Sequence, residues 1–111
     1  MINKSQPIRI AIAGLGFGES VHLPASIFNE NIDLIGLWHP RPERLNEACA
    51  KHNLKAYEKW EDLINDPKIE GIIIATPPAP RFELALQAVK AGKHLLLEKP
   101  IGLNAVEVME L

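Results

Sequence analysis

The chain has 111 residues, 47% of them hydrophobic and 23% charged, with a formal net charge of -2; this length is one domain, with a core that is small for an open sheet. The near-balanced, scattered charge leaves no footprint for nucleic acid or an anionic membrane, the one cysteine excludes an internal disulfide or a cysteine-rich metal site, and the four histidines form no tight ligand pair. Residues 1–7 lack the apolar core of a signal peptide, and no apolar run reaches the ~18 residues of a membrane span, so a soluble cytoplasmic protein is expected.

In chain order, residues 8–13 (IRIAIA) form a short β-rich run suited to a strand buried on both faces of a parallel sheet. Residues 14–18 are a glycine-rich turn, and 20–29 read as a helix that starts late or bends at Pro24. Residues 32–38 (IDLIGLW) are a second strand. A helix over 42–52 opens on Pro-Glu and carries Leu45, Ala48 and Cys49 as its apolar stripe, with Cys49 as a small buried hydrophobe. A short strand over 54–57 and a short helix over 60–64 follow, the latter stopped by Asn65-Asp66-Pro67. Residues 71–75 (GIIIA) are the fourth strand. The clearest helix covers 79–91, with Phe82, Ala85, Leu86 and Val89 on one face and Gly92 at its C-terminal stop. Residues 94–97 make the fifth strand, and another helix starts at 103–111.

Strands alternating with helices predict βαβ units, right-handed crossovers and a doubly wound α/β parallel sheet of the Rossmann type. Met109, Glu110 and Leu111 are still in helical register where the sequence stops. The expectation is therefore one dinucleotide-binding domain over 1–111, truncated before a further domain.

The first strand runs straight into Gly14-Leu15-Gly16-Phe17-Gly18-Glu19 with a helix behind it, the context of a dinucleotide turn. Gly14 would permit the tight turn and Gly16 the approach of backbone to a pyrophosphate. Glu19 stands where the third glycine is usual, giving G-x-G-x-G, a pattern shared with methyltransferases. That class usually has an acidic residue just before the first glycine, where this chain has Ile12-Ala13. An NAD site places a carboxylate ~20 residues on, against the ribose hydroxyls. Here the second strand ends in Trp38-His39-Pro40-Arg41, with Arg44 a helical turn later. A guanidinium binds a 2'-phosphate through a charge-assisted fork, so NADP(H) is expected over NAD(H), unless Arg41 and Arg44 are solvated surface charges. His39 either stacks on adenine or caps the loop.

Four stretches together resemble the glucose-fructose oxidoreductase/inositol dehydrogenase (Gfo/Idh/MocA) family over almost the whole chain. They are Gly14-Leu15-Gly16-Phe17-Gly18, His22-Leu23-Pro24-Ala25, Ala75-Thr76-Pro77-Pro78, and residues 91–100, AGKHLLLEKP. The resemblance implies a Rossmann domain holding NAD(P), followed by an α/β domain that binds substrate and often mediates oligomerisation. It implies hydride transfer between nicotinamide and a secondary alcohol or ketone, commonly on a sugar or cyclitol. It places Lys99, between Glu98 and Pro100, beside the nicotinamide and substrate to assist proton transfer, and Thr76 and Pro77 along the nicotinamide ribose. Three positions depart from the family pattern: Glu19 for the third glycine, His39 for the acidic strand-end residue, and Arg81 for a histidine after Thr-Pro-Pro. The family's second-domain substrate residues would lie beyond residue 111, so this chain alone is expected to bind cofactor without turnover. A non-catalytic nucleotide-binding module is the alternative. Without its second domain the chain is expected to expose apolar surface and to self-associate.

Overall fold

The computed structural model describes residues 6–16 and 18–97. It contains a parallel sheet of strands β1 (Ile8–Ala13), β2 (Ile32–Trp38), β3 (Lys55–Ala56), β4 (Gly71–Ile74) and β5 (His94–Leu97), in the order β3-β2-β1-β4-β5. Helices α1 (Leu23–Ile27), α2 (Pro42–His52), α3 (Trp60–Ile64) and α4 (Pro78–Lys90) connect them. The Rossmann-type α/β sheet expected from the alternation of elements is present.

The strands alternate their side chains between two cores. Ile10, Ile12, Leu37 and Ile73 pack with Leu23 of α1 and Leu45, Ala48 and Cys49 of α2. Ala11, Ala13, Ile72 and Ile74 pack with Trp60 and Leu63 of α3 and Ala85 and Ala88 of α4. Both faces of β1 and β4 are thereby covered, which explains their nearly unbroken apolar sequence. Leu37, Leu45 and Leu63 are completely buried, each worth about 1.5–3 kcal/mol of transfer free energy. Ile8 and Leu96 stay about half exposed at the β1–β4–β5 side of the sheet.

Three elements differ from the sequence reading. The helix expected over 20–29 is a π-helical turn, Gly18–His22, followed by α1. Proline lacks an amide and clashes with the carbonyl four residues back, and the wide turn places Pro24 within the first turn of α1, where it is tolerated. The third strand shrinks to Lys55–Ala56, paired only with Gly36 and Leu37. The stripe on α4 is rotated: Arg81, Ala85 and Ala88 are buried, whereas Phe82 and Leu86 are only partly buried and Val89 is exposed. The small alanines let α4 lie close to the sheet. The helix proposed at 103–111 lies outside the described residues. Among the described residues no helix is long and apolar enough to cross a membrane, and no cluster of His, Cys, Asp or Glu could hold a metal ion.

Candidate cofactor site at the sheet switch point

From β1 the chain runs to β2 on one side, and β4 lies on the other. The connections leave in opposite directions there and open a crevice at the C-terminal ends of β1 and β4, the place where open α/β sheets bind ligands. Its two lips are pinned closely. The Gly14 amide donates to the Trp38 carbonyl at 3.0 Å, and the Ala75 amide to the Ala13 carbonyl at 2.8 Å.

The three loop glycines differ in what surrounds them. Gly14 has φ +97°, and a Cβ there would lie 2.7 Å from the backbone of Ala75 and Thr76, so only glycine fits the turn. A Cβ on Gly16 would meet nothing within 4 Å; this is open space that backbone borders directly. A Cβ on Gly18 would sit 3.0 Å from Ile12 Cγ2 of β1. Gly18 thus has the close helix–strand approach expected of the third glycine, and position 19 is released to carry a side chain. Ser20 closes the loop, its amide and hydroxyl both donating to the Gly16 carbonyl at 3.2 and 3.1 Å.

On the β4 lip, Thr76 is 3% exposed and its hydroxyl has no hydrogen-bond partner among the described residues. A buried hydroxyl without a partner is costly, and a ligand in the crevice would relieve it. Pro77 is exposed at the start of α4. Arg81 is buried and donates Nη2 to the Thr76 carbonyl, bracing this lip. The open space at Gly16 and the hydroxyl of Thr76 fit a dinucleotide diphosphate and its attached sugar.

Beyond β2, the His39 Nδ1 accepts the Arg41 amide proton at 3.0 Å, so His39 caps the loop. Burial, above all, holds its imidazole below the ordinary value. Arg41 is exposed ahead of α2. Arg44, in the first turn of α2, turns back to the glycine loop: its Nη2 reaches the Leu15 carbonyl at 3.4 Å and pairs with Glu19 Oε1. The other Glu19 oxygen lies 3.0 Å from His52 Nε2. The hydrogen bond from Arg44, chiefly, keeps the Glu19 carboxyl below its usual range. This Glu19–Arg44–His52 arrangement was not visible in the sequence. Its one hint was a carboxylate at a position that usually holds glycine.

The structure therefore gathers Gly14, Gly16, Gly18, His39, Arg41, Arg44, Thr76 and Pro77 along one edge of the sheet. Phe17, Glu98, Lys99 and Pro100 lie outside the described residues. A separate recess of about 550 Å³ lies beside β3, lined by Lys55, Tyr57, Glu58, Asp62, Asn65 and Asp66. Its Tyr57 hydroxyl donates to Asp66 Oδ2 at 2.6 Å, and Lys55 Nζ lies 3.8 Å from the same oxygen, so Asp66 is already engaged within the recess.

Residues 8–111 match the family model described as the oxidoreductase family, NAD-binding Rossmann fold, GFO_IDH_MocA. An uncharacterised oxidoreductase of Synechocystis sp. is 36% identical over 111 residues, covering 99% of this chain and 30% of its own length. The inositol 2-dehydrogenase/D-chiro-inositol 3-dehydrogenase of Lactiplantibacillus plantarum is 31% identical over 106 residues, 93% of this chain and 30% of that protein. The crystal structure of an NAD-binding protein from Listeria innocua is 31% identical with a TM-score of 0.87, over 95% of this chain and 30% of that one. The chain spans about 30% of the length of the curated relatives it matches. The switch-point crevice, its glycine turn and these matches agree: the chain belongs to the Gfo/Idh/MocA oxidoreductase family, whose NAD-binding Rossmann fold it carries.

Proposed function

We propose that this chain binds a nicotinamide dinucleotide, NADP(H) in preference to NAD(H), across the crevice at β1 and β4, and serves an oxidoreductase acting on a sugar- or cyclitol-like secondary alcohol or ketone. The open space at Gly16, directly beside the turn that only Gly14 can make, carries this reading. A bound nicotinamide supplies the carbon that exchanges hydride. The chain's own groups hold and orient. Backbone around Gly16 faces the diphosphate, and the Thr76 hydroxyl gains a partner. Arg41 offers a guanidinium to a 2'-phosphate, just after a strand end, Trp38-His39-Pro40, that carries no carboxylate of its own. The family resemblance of Glu98-Lys99-Pro100 supports a role for Lys99 beside the nicotinamide. In our reading its ammonium hydrogen-bonds the reacting oxygen, and its amine form takes the hydroxyl proton as an alcohol is oxidised. The inositol dehydrogenase among the relatives supports the cyclitol class.

Titration of the chain with NADPH and NADH tests the reading. Trp38 and Trp60, with ring centroids 5.2 Å apart, provide a donor for energy transfer to the reduced nicotinamide. Saturable transfer with NADPH bound more tightly is expected. The absence of saturable binding by either nucleotide would overturn the reading, and NADH binding as well as NADPH would overturn the stated preference.

A further inference from the structure

We propose that Glu19 tunes the nucleotide preference of the crevice by holding Arg44 against the glycine loop, which withholds from a 2'-phosphate the second of the two arginines that follow β2. The inference rests on the cofactor reading above and adds a positioning residue to it.

Three observations carry it. Glu19 uses both carboxylate oxygens, one on Arg44 Nη2 and one 3.0 Å from His52 Nε2, so it ties the glycine loop to both ends of α2. Arg44 spends the same Nη2 on the Leu15 carbonyl at 3.4 Å, and a guanidinium so engaged has fewer donors for a phosphate fork. The Glu19 side chain is 17% exposed, and its carboxyl is held below the usual range chiefly by the Arg44 hydrogen bond. It is therefore a negative charge near neutral pH, partly shielded from water and in direct contact with the second arginine that follows β2. The carboxylate cancels the charge of Arg44 and adds repulsion toward a phosphate dianion. Arg41, exposed at the start of α2, is left as the 2'-phosphate partner. Position 19 is available for this task because Gly18 makes the close approach to Ile12.

The test is the ratio of NADH to NADPH dissociation constants. Glu19→Gln keeps the shape and removes the charge. It is expected to tighten NADPH about tenfold, the worth of one charge-assisted hydrogen bond, while NADH changes less than about twofold. In Glu19→Gln/Arg44→Ala the gain should vanish, because the effect passes through Arg44. A Glu19→Gln ratio equal to that of the unsubstituted chain, or a gain that survives loss of Arg44, overturns the inference. Should Glu19→Gln fail to fold, Arg41→Ala decides. With Arg44 withheld, loss of Arg41 should bring the ratio to parity or below, and a preference kept at full size would show Arg44 engaging the phosphate despite Glu19. An unsubstituted chain that binds neither nucleotide would instead overturn the cofactor reading.

Discussion

Gly14 and Gly16 lie two residues apart, yet their replacement is expected to damage different properties. In Gly14→Ala the new Cβ lies 2.7 Å from the Ala75 carbonyl carbon and the Thr76 amide nitrogen, at φ +97°. Neither neighbour can move away, because the Ala75 amide is bonded to Ala13 at 2.8 Å. The backbone conformation costs an L-residue about 1–2 kcal/mol and the overpacking about 1–3 kcal/mol more. At about 4–8 °C per kcal/mol for a domain of this size, Tm should fall by about 10 °C or more. Gly16→Val places its side chain in open space at a φ that is not positive, so stability should change by less than about 0.5 kcal/mol. That side chain fills the space a diphosphate would use and displaces a charge-assisted backbone contact worth about 1.5–3 kcal/mol, or about 10–100-fold in Kd. Thermal melts and NADPH titrations of both variants check this. A Gly16→Val chain that binds NADPH like the parent would refute the backbone cradle, and a Gly14→Ala chain that melts like the parent would refute the turn.

Other outcomes follow from the packing. The Tyr57 hydroxyl lowers the pKa of Asp66, helped by the Lys68 amide, while burial and the Asp66 bond push Tyr57 well above its ordinary range. The depressed Asp66 value means this stabilisation is full above about pH 4, where an unfolded Asp is ionised, and is lost as pH falls through the native value. Tyr57→Phe should cost about 1 kcal/mol at neutral pH and flatten the acid limb of stability, as urea melts across pH would record. Ala85→Leu, at a fully buried site between α4 and the sheet, should destabilise by about 1–3 kcal/mol through overpacking. Leu37→Ala, also fully buried, should cost about 2–5 kcal/mol through the cavity left behind; calorimetry measures both.

The strands that cross the core were legible because burial on both faces forces continuous apolar runs: residues 10–13 and 71–74 carry that signal, and the glycine turn follows the first of them directly; the run at 94–97 is apolar too, although His94 and Leu96 stay exposed. The α4 face was misassigned because apolarity alone selected Phe82, Leu86 and Val89, whereas the sheet lies so near that small Ala85 and Ala88 fit there, with Arg81 buried to hold the Thr76 carbonyl. The edge strand β3 has two paired residues, too few for a period-two pattern to mark its ends. The π-helical turn arises from a conflict between a helix start at Gly18 and Pro24 six residues later, which no apolar periodicity reports. The Glu19–Arg44–His52 arrangement joins residues 25 and 33 positions apart, and pairings at such distances depend on the register of the folded chain.

The most direct test of the central claim is the map of backbone amide shifts as NADPH is added to the isotope-labelled chain. The account predicts saturable shifts concentrated at residues 14–20, at the non-proline residues of 39–44, and at 75 and 76, around the crevice at β1 and β4. Shifts confined to the β3 recess at residues 55–67, or none at saturating nucleotide, would contradict it.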